Sequence, residues 1–149
     1  MQYILQNTAF QGGSGPPWRA GDTVLLSGVV YTARDAAHAR MMELLDQGAQ
    51  LPFPIEGAAI YYVGPTPERP GCAIGAAGPT TSGRMDAYTP RLLDLGLACM
   101  IGKGKRDAAV KEAVVRSGAV YLAALGGAGA LMAWSVKTLE VIAWPRPRL

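Results

Sequence analysis

Cysteine and histidine, the usual protein ligands of zinc and of iron–sulfur clusters, are scarce in this sequence of 149 residues. There is one histidine, His38, and the two cysteines, Cys72 and Cys99, are widely separated and form no CxxC motif. Because zinc and cluster sites need three or four protein ligands, the chain is not expected to hold such a centre by itself. Two isolated thiols also argue against a disulfide framework.

Charged residues and uninterrupted apolar runs are sparse as well. Charged residues make up 17% of the sequence, the net charge is +3, and no basic run is interleaved with aromatic residues, so nucleic-acid binding has little support. Met1–Gly13 lacks the basic start and long apolar run of a signal peptide, which makes a cytoplasmic location the default expectation. The uncharged stretch Gly118–Val136 approaches the length of a membrane span, but Gly126 and Gly127 interrupt it, which favours a buried strand, a turn and a helix.

Half of the sequence is hydrophobic, and its short apolar runs alternate with helical patterns, which predicts an α/β domain. The predicted strands are Thr23–Val30, Ala58–Val63, Leu97–Ile101, Ala119–Ala123 and Leu139–Trp144. The predicted helices are Arg34–Gln47, Arg91–Leu95, Arg106–Arg116 and Ala128–Val136.

The predicted strand–helix junction at residues 31–38 has features of an anion-binding site. Thr32 and Asp35 resemble a capping box at the start of the first helix. Arg34, in the first turn, would add a bidentate guanidinium to the positive end of the helix dipole. The local pattern alone favours a simpler interpretation, in which Asp35 caps the helix while Arg34 and His38 are solvated.

The segment Gly78–Asp86 offers three consecutive hydroxyl groups, those of Thr80, Thr81 and Ser82, followed by Arg84. Such a glycine-bounded loop can approach a ligand by its backbone and donate several hydrogen bonds to it. An ordinary turn, in which serine or threonine caps the next helix, fits the pattern equally well.

Glycines also flank Lys103 where a predicted strand ends, which is the usual place for a ligand contact in an α/β sheet. A second glycine-rich turn, Gly126–Ala130, is expected to allow close packing of a helix on the sheet. Neither segment has the GxxxxGK[ST] or GxGxxG spacing of phosphate-binding loops. Nucleotide binding is therefore a weak alternative, which would require ATP or NAD to stabilise the chain.

Three cations, Arg34, Arg84 and Lys103, thus follow predicted strands and are accompanied by hydroxyl groups. This combination suits a small substrate that carries several negative charges. The chain offers no pair of obvious catalytic carboxylates. If the reaction removes water from an unactivated hydroxyl group, a Lewis acid must come from elsewhere.

In this order, the segments closely resemble the β region of class I fumarases and L(+)-tartrate dehydratases. The resemblance extends over nearly all of residues 20–144. The matching motifs are GDTVLLSG at 21–28, YTARDAAH at 31–38, IYYVGP at 60–65, GPTTSGRMD at 78–86, MIGKG at 100–104, VYLAA at 120–124 and GGAG at 126–129.

The resemblance implies a swivelling β/β/α fold and a single domain over residues 1–149. It implies a partner α subunit, in a hetero-oligomer such as α2β2, whose cysteines hold a [4Fe–4S] cluster that this chain does not bind. The implied reaction is reversible addition of water to a dicarboxylate, as in fumarate to malate, or loss of water from tartrate.

The resemblance also assigns roles to individual residues. Arg34, Arg84 and Thr81 would bind the substrate, Thr80 would move the proton and Lys103 would be the second catalytic residue. The positions that would support them without contacting the substrate are Asp35, His38 and Asp86.

One departure from the family pattern lies at the C-terminus. The β regions of this family usually continue beyond the point that corresponds to Leu149, so part of the usual domain is expected to be missing. The alternative to a hydro-lyase subunit is therefore a shortened, non-catalytic relative that acts as an assembly or small-anion-binding module.

Overall fold

The computed structural model describes residues 2–6, 20, 23–63 and 80–124. Their strands are β1 (Gln2–Gln6), β2 (Thr23–Ser27), β3 (Tyr31–Thr32), β4 (Ala59–Tyr61), β5 (Cys99–Gly102) and β6 (Val120–Ala123). All strand pairs are parallel: β1 and β2 form a two-stranded sheet, and a four-stranded sheet has the order β3-β4-β5-β6. With the helices that connect the strands, they confirm the predicted α/β class.

The described helices are α1 (Asp35–Asp46), a short 3-10 helix (Ser82–Met85), α2 (Thr89–Asp94) and α3 (Ala108–Ser117). The limits of α3 follow from its sequence. The Asp107 carboxylate accepts a hydrogen bond from the backbone N–H of Val110 at 2.9 Å, which caps the first turn. The helix ends at Gly118, whose φ of 73° is a left-handed conformation that glycine adopts without strain.

Three sequence-based expectations are corrected. The predicted capping box is wrong, because Thr32 belongs to β3 and the residue that precedes α1 is Arg34, which makes no side-chain capping bond. The predicted strand Thr23–Val30 ends early, at Ser27, because Gly28 adopts a φ of 123°. The strands β1 and β3 and the 3-10 helix were not predicted. The predicted elements Ala128–Val136 and Leu139–Trp144 and the turn Gly126–Ala130 lie outside the described residues.

The core of the described chain forms where the helices pack on the four-stranded sheet. Ile60 in β4 and Met100 in β5 are fully buried. Met41 of α1 and Leu92 of α2 pack against them in one cluster. The central strands therefore carry continuous apolar runs, as expected for parallel strands that are covered on both faces.

Within the described part of the chain, no helix is both long and apolar enough to cross a membrane.

Gly102, at the end of β5, occupies a position where only glycine fits. A Cβ atom built there would overlap the Ser82 hydroxyl oxygen and would lie 2.8 Å from Cδ2 of Tyr62. The missing side chain lets Ser82 and Tyr62 approach the strand closely. This glycine therefore serves packing, which weakens the nucleotide-binding alternative for residues 102–104.

We predict that Gly102→Ala lowers the free energy of unfolding by about 1–3 kcal/mol, because overpacking a close contact forces neighbouring groups apart. The free energy of unfolding from urea titration of the full chain measures this. Gly83→Ala is the matched control, because a Cβ there would lie 3.7 Å from the Lys105 carbonyl oxygen and meet no clash. Equal stability of the two variants would contradict the packing argument.

Candidate functional site

The carboxyl ends of β3, β4, β5 and β6 lie along one edge of the sheet, because all four strands are parallel. At this edge, residues 80–82 lie between the ends of β4 and β5. The backbone N–H of Thr80 donates to the Tyr62 carbonyl oxygen at 2.7 Å, just beyond β4. The N–H of Ser82 donates to the Lys103 carbonyl oxygen at 2.8 Å, just beyond β5, and Thr81 forms a parallel bridge with Lys103.

The insertion brings several of the predicted site residues to one edge. Thr80 is half-buried, and the exposed Thr81 pairs through its backbone with the exposed Lys103. Arg34 lies just beyond β3 and is exposed. The chain between β3 and Arg34 is tied to β4 by a 3.1 Å hydrogen bond from the N–H of Ala33 to the Tyr61 carbonyl oxygen.

Arg84 and Asp35 form an ion pair across this edge, with 2.8 Å between Nη2 and Oδ2. Their side chains remain 60% and 40% exposed, so the pair contributes little to stability. The pair instead fixes the position of Arg84. Asp35 is the first residue of α1, so the guanidinium of Arg84 is held near the start of this helix, which directly follows Arg34 in sequence.

His38 is fully buried, so the interpretation that it is solvated is wrong. Its Nδ1–H donates to the Arg34 carbonyl oxygen at 2.9 Å, and its ring packs on Tyr62 and Tyr88. Among the described residues, Nε2 has no hydrogen-bond partner. Burial lowers the pKa of His38, and the nearby Arg106 acts in the same direction, while the hydrogen bond to Arg34 and the charge of Asp35 act against it.

Asp86 takes part in a buried ion pair whose partner, Arg106, the sequence did not single out. Arg106 Nε donates to Asp86 Oδ1 at 2.7 Å, and the two side chains are 4% and 11% exposed. Arg106 Nη2 also donates to the hydroxyl groups of Tyr62, at 3.1 Å, and Thr89, at 3.0 Å. The other Asp86 oxygen accepts from the N–H of Asp107 at 2.9 Å. This network ties the segment after Arg84 to the segment after Lys103.

The described residues do not fit a metal or cluster site. They include no group of three or more histidine, cysteine, aspartate or glutamate side chains placed to share a metal ion. Burial raises the pKa of the Cys99 thiol to about 12, which disfavours the thiolate that a metal requires. Cys72 lies outside the described residues.

We predict that Arg106→Met lowers the free energy of unfolding by about 3–5 kcal/mol, because it leaves Asp86 buried without its charged partner. The double variant with Asp86→Asn should lose less than the sum of the two single variants. Urea titration measures all three. Arg116→Met is the matched control, because it removes an exposed pair with Asp94 and should cost less than about 1 kcal/mol. A loss as small as the control's would contradict the importance of the buried pair.

We also predict that His38 makes stability depend on pH. Its pKa in the folded chain lies below the ordinary value of 6.5, so the unfolded chain binds the proton more readily. The contribution is complete above pH 6.5 and is lost as the pH falls from 6.5 towards the folded pKa. Unfolding free energies between pH 8 and 5.5 should fall more steeply for the wild type than for His38→Asn, and parallel slopes would contradict the assignment.

Comparison with known proteins gives the family. The model of the Fumarase C-terminus family matches residues 13–146. The anaerobic class I fumarate hydratase of Escherichia coli K12 is 42% identical over 122 residues, which are 80% of this chain and 22% of that protein. Fumarate hydratase 2 of Leishmania major is 39% identical over 127 residues, 84% of this chain and 22% of the relative.

A shorter relative matches as well. A protein of Methanocaldococcus jannaschii, provisionally named L(+)-tartrate dehydratase subunit beta, is 37% identical over 125 residues, 82% of this chain and 64% of that protein. The chain thus spans about a fifth of the length of the fumarate hydratases it matches. The match over residues 13–146 confirms the resemblance seen in the motifs: the chain belongs to the Fumarase C-terminus family.

Proposed function

We propose that this chain is the β subunit of a hydro-lyase that reversibly adds water to, or removes water from, a small dicarboxylate. It supplies carboxylate-binding and proton-transfer residues to an active site shared with an α subunit. The observation that carries this proposal is the insertion of residues 80–82 between the ends of β4 and β5, where Thr81 pairs with Lys103 and Thr80 precedes it. Arg34 lies at the same edge, beyond β3.

The cations of this edge suit the two carboxylates of the substrate. Arg34 and Arg84 each carry a planar guanidinium that can bind a carboxylate through two parallel hydrogen bonds. Arg84 contacts Asp35 through Nη2, and a guanidinium has five N–H donors, so it can bind the substrate while Asp35 keeps its position. Thr81, exposed beside Lys103, adds a hydroxyl donor to the same surface.

Thr80 is the proposed proton-transfer group. In the dehydration direction the Thr80 alkoxide takes the proton from the carbon next to the carbinol carbon, and the electrons of that C–H bond form the double bond. The carbinol hydroxyl group leaves as hydroxide, for which the α subunit would supply a Lewis acid, and hydration reverses these changes. A threonine hydroxyl is a weak acid, so its alkoxide needs nearby positive charge. Lys103, paired through its backbone with the neighbouring Thr81, is the proposed source of that charge.

The α subunit and its [4Fe–4S] cluster belong to the proposal and rest on the family. Among the described residues, no group of three or more histidine, cysteine, aspartate or glutamate side chains could share a metal ion, so the α subunit is proposed to hold the cluster. The match to a protein named as a β subunit supports an α partner. A cytoplasmic location and an assembly such as α2β2 complete the proposal.

We predict that co-expression with an α subunit, purified without oxygen, gives a complex that hydrates fumarate or dehydrates malate or tartrate. Arg34→Ala and Arg84→Ala together should lower kcat/KM at least about 100-fold, since each removes a bidentate contact to the substrate. Arg91→Ala is the matched control, because Arg91 also pairs with an aspartate, Asp46, on an exposed surface. Its kcat/KM should equal that of the wild type.

Normal turnover by the Arg34→Ala/Arg84→Ala complex would contradict the assigned roles. A complex that is stabilised against heat by malate, tartrate or fumarate, yet turns over none of them, would instead support the non-catalytic anion-binding module.

A further inference from the structure

Tyr121, in β6, has no role in the proposal above, yet its hydroxyl group joins two segments of the site. The hydroxyl oxygen lies 2.7 Å from the Ser82 hydroxyl oxygen and 2.8 Å from the Gly104 carbonyl oxygen. A carbonyl oxygen can only accept, so Tyr121 donates to Gly104. The Ser82 hydroxyl then donates to Tyr121, which gives a chain of two hydrogen bonds with one direction.

Each partner of Tyr121 is covalently close to a proposed catalytic residue. Ser82 follows Thr80 and Thr81, and Gly104 follows Lys103. Gly104 has a φ of 87°, so the backbone turns sharply directly after the lysine. The hydroxyl of Tyr121 therefore lies between the hydroxyl-bearing segment and the lysine-bearing segment and bonds to both.

The tyrosine ring is itself held in place. The guanidinium carbon of Arg106 lies 4.9 Å from the ring centroid, which is a cation–π distance. Arg106 is fixed in turn by its buried pair with Asp86. The contact with Arg106 therefore holds the ring of Tyr121 in place, and removal of the hydroxyl group alone would leave this contact intact.

We propose that Tyr121 is a positioning residue, which acts through Ser82 and Gly104 to hold Thr80 and Lys103 at a fixed separation. This inference rests on the proposed function, because it concerns the geometry of the same site. A second, purely backbone link, from the Ser82 N–H to the Lys103 carbonyl oxygen, joins the two segments at the sheet edge. Tyr121 adds a further link between the same two segments through its side-chain hydroxyl group.

The first test is amide hydrogen exchange of the full chain with Tyr121→Phe, which keeps the ring and removes the hydroxyl. Peptides that cover residues 80–86 and 102–107 should exchange about 10-fold faster, because both segments lose a hydrogen-bond partner. Tyr31→Phe is the matched control, because its ring stacks on Phe53 at 4.2 Å, and exchange in the two peptides should not change. Unchanged exchange in both peptides of Tyr121→Phe would overturn the inference.

The second test is catalysis by the complex with the α subunit. Tyr121→Phe should lower kcat at least about 10-fold with little change in KM. Arg34 lies on another segment, and the guanidinium of Arg84 keeps its ion pair with Asp35, so both arginines can still bind the substrate. Adding Ser82→Ala should cost no more, since both changes break the same bond. Faster exchange with unchanged kcat would overturn a positioning role. If the wild-type complex turns over no dicarboxylate, the proposed function fails, and exchange alone then decides whether Tyr121 holds the two segments together.

Discussion

The whole arrangement depends on two backbone hydrogen bonds, from Thr80 to Tyr62 and from Ser82 to Lys103. Through these bonds, residues 80–82 extend the hydrogen bonding of the sheet beyond the ends of β4 and β5. The backbone of this segment is therefore satisfied by the sheet, and Thr80 and Thr81 lie at the edge where parallel sheets bind ligands, while Ser82 is buried. The close approach requires Gly102, because any side chain there would occupy the space of Ser82.

The exposed groups of the candidate site are supported by buried polar groups. Arg34, Thr81, Arg84 and Lys103 are exposed, whereas His38, Asp86 and Arg106 are buried. A buried ion pair adds little net stability compared with an apolar pair of the same shape, but it accepts only one arrangement of its partners. The Asp86–Arg106 pair thus fits a role in fixing the two site segments relative to each other, which a reaction between aligned groups requires.

Much of the fold followed from local patterns, and the exceptions have physical causes. The helix predicted at Arg34–Gln47 was observed as Asp35–Asp46, because its apolar spacing is clear. The single strand expected at Thr23–Val30 is broken at Gly28, whose positive φ the hydrophobic pattern could not reveal. The burial of His38 was predictable from its position in α1. His38 precedes Met41 by three positions, so the two residues share the helix face that is buried.

The candidate site likewise contains residues that the sequence predicted and residues that it did not. Strand–helix alternation predicted that Arg34 and Lys103 follow strands, and Thr80 was added by the family motifs alone. No local pattern predicted the backbone bond to Tyr62 that puts Thr80 beside the end of β4. The burial of Arg106 could not be predicted from local patterns either, because its partners lie in two distant parts of the chain, Tyr62 in one and Asp86 and Thr89 in the other. No local pattern distinguishes this arginine from those that are exposed near other helix ends, such as Arg116.

The most direct measurement of the central claim is a crystal structure of the complex with an α subunit and a bound dicarboxylate. We predict that the guanidinium groups of Arg34 and Arg84 contact the substrate carboxylates. We also predict that Thr80 Oγ1 lies about 3–3.5 Å from the substrate carbon that loses or gains the proton. A substrate bound away from the carboxyl ends of β3, β4 and β5, or a Thr80 hydroxyl that points away from it, would contradict the account.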